Sequence, residues 1–348
     1  MAELVLFDRL HWRDPLNGGP LEPLIAARTP AGVPLYGALR VAGTGYGYPI
    51  VDCVARLTPE LAQRYADWLT PFGLQPPPNS RGLAMTFQPE STVDIFGFQW
   101  TFNSAMRSEA DLRWRVAERF KVAPAVFAGK LVLDASTGTG DQSRFISDQG
   151  AQVVSVDLSS AIEVAAKKLR LRPGWVGVQG DITVLPFSDQ QFDMVYCEGV
   201  IQHTRDSALT VRELCRVLKE GGMVLATHYS KAKRWWGRVR IAWHFGLRRR
   251  LSGMERYKLL WLTGNLAALS YLPLVGKLLR LTTVSYSELM SDFKTTWTNT
   301  FDGYGNHSYQ RVITPDEFWH YFESAGGMER LYQEETVVVA RRASNLLE

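Results

Sequence analysis

Cysteine is scarce in this chain. Only Cys53, Cys197 and Cys215 occur among 348 residues, and no two share CxxC spacing. Neither a disulfide framework nor a zinc knuckle is supported, and a reducing, cytoplasmic setting is expected. No metal site is expected. Strong net charge is also missing: 39 basic against 35 acidic residues leave +4, with a pI near 8.9. So mild a balance gives no general affinity for nucleic acid. The opening residues, MAELVLFDRLHWRDP, lack a basic stretch followed by an apolar core, so no signal peptide is read. Internal repeats and low-complexity tracts are absent. Residues 259–276 carry no charge, but Thr263, Asn265, Ser270 and Pro273 interrupt them. A bilayer span needs ~20 predominantly apolar residues, so this run is read as part of a domain.

What is present is an alternation of strand and helix patterns across residues 130–230. KLVLDA, AQVVSVDLS, WVGVQGD, FDMVYCEGV and MVLATHY read as strands. DQSRFISDQG and SAIEVAAKKLRL read as helices, the latter capped by Ser159 or Ser160. ALTVRELCRVLKEGG reads as a third helix, closed by Gly221. Strands separated by helices imply βαβ units and a parallel sheet. The final RLYQEETVVVARR leaves no room for a crossover helix, so it reads as an antiparallel hairpin. The expected fold is α/β, a Rossmann-like seven-stranded sheet, mostly parallel, with an antiparallel last hairpin. Around it lie a small N-terminal domain over 1–72, a linker and helical extension over 73–127, and a helical insertion over 231–312 after the fifth strand. Residues 313–348 return to complete the core begun by 128–230. In EADLRWRVAERF, Leu112, Val116 and Phe120 fall at helical spacing, so this helix is expected to pack on the main domain.

Ligands of open α/β sheets sit beyond the carboxyl ends of the strands. There the first strand ends in DASTGTG, residues 134–140. Small residues let backbone approach a ligand, and the following helix offers amide donors. A dinucleotide loop would read GxGxxG, and SxGxG matches it poorly. Asp157 ends the second strand and is placed to accept from both hydroxyls of a ribose, which fits NAD, flavin or S-adenosylmethionine. Asp181 ends the third strand, placed to accept from an adenine amino group.

With these residues together, the chain resembles the class I S-adenosylmethionine-dependent methyltransferases. The family's D-x-G-x-G-x-G element is similar to Asp134 through Gly140. Its ribose acid is similar to Asp157 in SVDLS, its GD-x-x-x-LPF element to GDITVLPF, and its FD-x-V…LHH element to Phe192 through His203. The resemblance covers residues 128–230 and, more loosely, 312–342. It implies S-adenosylmethionine as cofactor, with S-adenosylhomocysteine as product. The implied cofactor contacts are Asp134, Ser136, Thr137, Gly138 and Gly140 in the first loop. Beyond it they are Asp157, Leu158, Asp181, Ile182 and Glu198, the last toward the cofactor's ammonium or else a solvated loop acid. Two positions depart from the family: Ser136 replaces the first glycine and Gln202 the first histidine of the usual pair. A Rossmann-like fold that has lost its cofactor is the alternative.

DPLNGGPLEP and GYPIVDCVARLTPE resemble, in order, the halves of a small zinc-ribbon domain often fused to such enzymes. Asp14 and Asn17 stand where that family has its first cysteines, so a degenerate, metal-free version is expected. Its role is structural, or else partner docking or shaping a wall of the substrate site.

On the acceptor side, the resemblance places His203 next to the methyl group, as general base or as loop brace. His228 and Tyr229 end the fifth strand on the same rim, His228 as a second base or a wall residue. Gln202, Tyr229, Asp302, Tyr304, His307 and Tyr309 are the acceptor-contact candidates, the last four in a polar loop over 300–310 expected to close over the site. Residues 221–254 hold eight Lys/Arg and no acid. The basic, Trp-rich part of it, 231–250, reads as an amphipathic lid, an acidic-substrate site, or, with the residues up to 281, a peripheral membrane contact. No nucleic-acid partner is expected, the least favoured of these readings, because CEGV stands where adenine-N6 enzymes carry an NPPY-like motif. The expected activity is methyl transfer to a small molecule of a specialised pathway. The alternatives are a lipid-linked or glycan acceptor at the membrane face, or a cofactor-binding protein that transfers no methyl. Oligomeric state is not fixed by the sequence.

Overall fold

The computed structural model describes residues 5–78, 108–231, 235–251, 253–284, 293–304 and 311–344. The strands of the expected core are β5 (Leu131–Asp134), β6 (Gln152–Asp157), β7 (Trp175–Gln179), β8 (Phe192–Cys197) and β9 (Leu218–Thr227). The last hairpin is β10 (Met328–Glu334) and β11 (Val337–Arg342). They lie in the order β7-β6-β5-β8-β9-β11-β10. β5 to β9 run parallel, while β11 is antiparallel to both neighbours. The central strands are short and rich in Val and Leu because helices cover both faces.

The N-terminal region, expected as a small domain over 1–72, joins the sheet of the parallel core. Its strands β1 (Leu21–Arg28), β2 (Pro34–Val41), β3 (Gly47–Val51) and β4 (Val54–Arg56) form an antiparallel meander. β4 then pairs in parallel with β7, from Val54 opposite Gly177 to Arg56 opposite Gln179. The described residues therefore make one 11-stranded sheet. Phe7, Trp12, Leu39 and Tyr48 share one buried cluster with Leu133, Val156 and Phe187 of the parallel core. The physical reason is edge capping: β7 would otherwise leave a row of unpaired amides and carbonyls.

Where the zinc-ribbon resemblance has cysteines, this chain uses side-chain oxygens to fold the turn. Asp14 Oδ1 accepts from the Tyr48 hydroxyl at 2.7 Å and from the Leu16 amide at 3.0 Å. Asn17 Oδ1 accepts from the Gly19 amide at 2.7 Å. Among the described residues no group of three His, Cys, Asp or Glu is arranged to hold a metal ion.

The helix Glu109–Val116 packs on the helix Asp141–Asp148, with Leu112, Val116 and Phe120 fully buried. The third predicted helix stops earlier than expected. It ends at Arg216, and β9 begins at Leu218. The KEGG residues form an irregularity within β9, where pairing with β8 skips from Leu218 to Met223. The insertion consists of helices Trp235–Leu251, Arg256–Leu269, Val275–Thr282 and Phe293–Tyr304. Among the described residues no helix is long and apolar enough to cross a membrane.

Candidate active site

The carboxyl ends of β5 to β9 open into one cavity of about 320 Å³. Its walls are the loops that the parallel strands release at that edge, as open α/β sheets require. No described residue of 5–78 lines it, so the N-terminal strands do not shape a substrate wall.

The first loop places Ser136, Thr137 and Gly138 on the cavity wall. Gly138 takes φ 51°, and its amide donates to Asp157 Oδ2 at 2.8 Å. Asp134 was expected at the cofactor, but it is fully buried and off the cavity wall. Its carboxylate accepts from the Ser136 amide at 3.2 Å and from the Ser143 hydroxyl at 2.6 Å. Burial pushes its pKa up to about 7. Asp134 shapes the loop from behind. Gly140 is also off the wall. It sits at φ 81°, and a Cβ there would come within 2.7 Å of the Ala165 Cβ. Helix contact and left-handed backbone require this glycine, and ligand approach does not.

Ser136, the departure from the family pattern, has a partner of its own. Its Oγ accepts from the Glu198 amide at 2.8 Å, tying the loop after β5 to the turn after β8. A glycine would leave that amide without this acceptor.

Asp157 sits on the cavity wall. Its Oδ1 accepts from the Ser159 amide at 2.8 Å and the Ser159 hydroxyl at 2.7 Å, and burial raises its pKa. Leu158 and Ile182 line the cavity beside it. Asp181 is more telling. Its Oδ1 accepts from the Thr183 amide at 2.8 Å and the Thr183 hydroxyl at 2.7 Å, while its Oδ2 is buried with no hydrogen-bond partner. Burial pushes its pKa up to about 6. A buried carboxylate oxygen without a donor costs free energy until a ligand supplies one. An adenine amino group is such a donor, so the residues present fit the nucleoside of S-adenosylmethionine.

Glu198 reaches the cavity, but as the anion of a cationic cluster. Arg115 and Arg119 contact its Oε1 at 3.0 and 2.7 Å, and the Tyr196 hydroxyl donates to its Oε2 at 2.8 Å. The expected open acceptor for an ammonium is thus already occupied by guanidinium donors. Both arginines line the cavity too, at the end where Ser136 and Gln142 lie. They are the residues that sequence reasoning missed. The helix EADLRWRVAERF was read for its apolar positions, and the i, i+4 spacing of Arg115 and Arg119 was the signal available.

On the acceptor side, His203, His228 and Tyr229 line the cavity as expected. The His203 and Tyr229 rings meet edge to face, with centroids 5.4 Å apart. His228 Nδ1 lies 3.0 Å from the Tyr229 carbonyl, to which it donates, and burial lowers its pKa to about 4. It is neutral near pH 7. Burial, with the Asp302 carboxylate adding to it, raises the Tyr229 phenol well above its ordinary value.

The polar loop expected over 300–310 begins as helix: residues 300–304 belong to Phe293–Tyr304. Helical spacing puts Asn299 and Asp302 on the cavity wall. Tyr304 faces the other way. It is fully buried with Leu259 and Phe301, and its hydroxyl donates to the Thr283 carbonyl at 2.7 Å. It is therefore a core residue of the insertion. Gln202 is likewise fully buried and off the cavity wall, because the short turn Ile201–His203 points His203 toward the cavity and Gln202 inward. His307 and Tyr309 lie outside the described residues.

Residues 133–226 match the family model described as a methyltransferase domain. A demethylmenaquinone methyltransferase of Clavibacter sepedonicus is 35% identical over 129 residues, covering 37% of this chain and 52% of that protein. A ubiquinone/menaquinone biosynthesis C-methyltransferase of Serratia proteamaculans is 36% identical over 127 residues, covering 34% and 50%. The chain thus spans about half the length of these curated relatives. Among solved structures, the Burkholderia thailandensis 1,6-didemethyltoxoflavin-N1-methyltransferase superimposes with a TM-score of 0.37 at 15% identity, over 71% of this chain and 88% of that one. The cavity lies within and beside the segment that matches the methyltransferase-domain model.

Proposed function

We propose that the protein transfers the methyl group of S-adenosylmethionine to a small-molecule acceptor, in a specialised biosynthetic pathway. The observation that carries this reading is one cavity with two chemically distinct ends. Ser136, Gly138, Asp157 and Asp181 line the nucleotide end, and His203, Tyr229, Asn299 and Asp302 line the other. When bound, S-adenosylmethionine supplies a sulfonium-activated methyl group. Asp157 and Asp181 hold its ribose hydroxyls and adenine amino group. Arg119 and Arg115 take its carboxylate, sharing their charge between it and Glu198. The helix Phe293–Tyr304 brings Asn299 and Asp302 from the insertion to the acceptor end, which supports a small, enclosed acceptor.

His203 is the base in this reading. It lines the cavity and is braced by Tyr229. An acceptor hydroxyl, amine or acidic carbon must lose a proton as it is methylated, and a positioned imidazole can take it. His228 stays neutral and serves as wall. Calorimetry with S-adenosylmethionine and with S-adenosylhomocysteine tests the nucleotide end. Release of S-adenosylhomocysteine in the presence of candidate acceptors tests transfer. Binding of neither nucleotide overturns the reading, and binding without turnover on any acceptor favours a protein that keeps the cofactor and transfers no methyl.

A further inference from the structure

The helix Arg256–Leu269 packs in an unusual sense. Its buried face is Leu259, Thr263 and Ala267, continued by Ser270, mostly small or hydroxylated residues. Several bulky side chains of the same helix are exposed, Trp261 at 70% and Leu269 at 43%. The turn that follows and the helix Val275–Thr282 extend this surface. Leu274 is 88% exposed at φ 59°, and Leu278 is 63% exposed. Leu272 and Val275 are exposed between them. Exposed large apolar side chains in this number mark an interaction site.

Charge selects the partner. Residues 235–284 contain nine Lys/Arg and one acid, Glu255. That is +8, whereas the whole chain is +4, so the rest of the molecule is net acidic. Lys258 and Lys277 are exposed among the apolar side chains. A second copy of this chain would bring like charge against like charge at this face. An anionic lipid surface offers the complement: headgroups for the lysines and an acyl boundary for the tryptophan and leucines. No described helix is long enough to span, so such contact is interfacial.

We propose that this face of the insertion docks the protein on anionic membranes, with Trp261, Leu274 and Leu278 entering the interface and Lys258 and Lys277 at the headgroups. The proposal does not depend on methyl transfer, because binding is read on cofactor-free protein.

The test is co-sedimentation of the full chain with phosphatidylcholine vesicles, with and without about a third phosphatidylglycerol. Vesicle binding is expected only with the anionic lipid, weakening as salt rises. The double variant Leu274→Glu, Leu278→Glu should lower partitioning at least about tenfold. Both residues are exposed, so the thermal melt and circular dichroism of the cofactor-free variant should match the wild type and certify the fold. Tryptophan quenching by brominated lipid should fall in Trp261→Phe. No pelleting with anionic vesicles overturns the proposal, as does equal pelleting of the double variant. So does light scattering that shows a dimer which the double variant dissolves, since a second copy would then cover the face.

Discussion

Asp181→Asn moves stability and cofactor affinity in opposite directions. In the free protein Asp181 carries a carboxylate whose pKa is pushed from 3.8 to about 6 by burial, with Oδ2 unpartnered. A raised carboxylate pKa means the ionised form disfavours folding: the penalty is absent below the unfolded pKa and fully present above about pH 6. Two pKa units correspond to roughly 3 kcal/mol. Asparagine keeps an oxygen for the Thr183 amide and hydroxyl but buries an unpaired NH₂, costing about 1–3 kcal/mol. At pH 8 the variant should therefore equal the wild type in stability or exceed it by up to about 2 kcal/mol. Its affinity should fall, because the amide turns a donor toward the adenine amino group. Losing a charge-assisted hydrogen bond of about 1.5–3 kcal/mol weakens binding by roughly 10- to 100-fold. The pH dependence carries the same signature. In the wild type affinity holds above about pH 6 and drops as Asp181 takes up a proton below it. The variant loses that component, which separates Asp181 from Asp134 and Asp157. Thermal melts and calorimetry from pH 5 to 8 measure both quantities. An unchanged Kd in Asp181→Asn at pH 8 refutes the adenine assignment.

Ser136→Gly removes the acceptor for the Glu198 amide and adds backbone freedom, so it should cost about 1–2 kcal/mol and weaken cofactor binding several-fold. Tighter binding in calorimetry would show instead that the serine obstructs the ligand. Gly140→Ala forces a Cβ against Ala165 at positive φ, and chemical denaturation should show a loss of at least about 2 kcal/mol. If His203 is the base, His203→Gln should lower kcat about 10²–10⁴-fold at unchanged cofactor affinity. His228→Gln should leave the pH–rate profile above pH 5 unaltered, since His228 is already neutral there.

The sequence by itself determined the parallel core and most of the loops that line its cavity. Periodicity along β5 to β9 and the acids that end β5 and β6 or follow β7 by two residues are local features, and local backbone geometry brings them to one sheet edge. The role of each polar side chain was a different matter. Asp134 and Asp157 look alike in sequence, yet one turns behind the loop and the other faces the cavity. Asp302 and Tyr304 are two residues apart on one helix, so helical geometry sends them to different faces. Arg115 and Arg119 reach Glu198 across about eighty residues of chain. The N-terminal strands read as a separate domain because β4 pairs with β7 through backbone groups, which leave no mark on side-chain pattern. Only the tertiary structure decided which carboxylate oxygens are spent on the protein itself and which, like Asp181 Oδ2, have no donor, because that depends on what the fold packs against each oxygen.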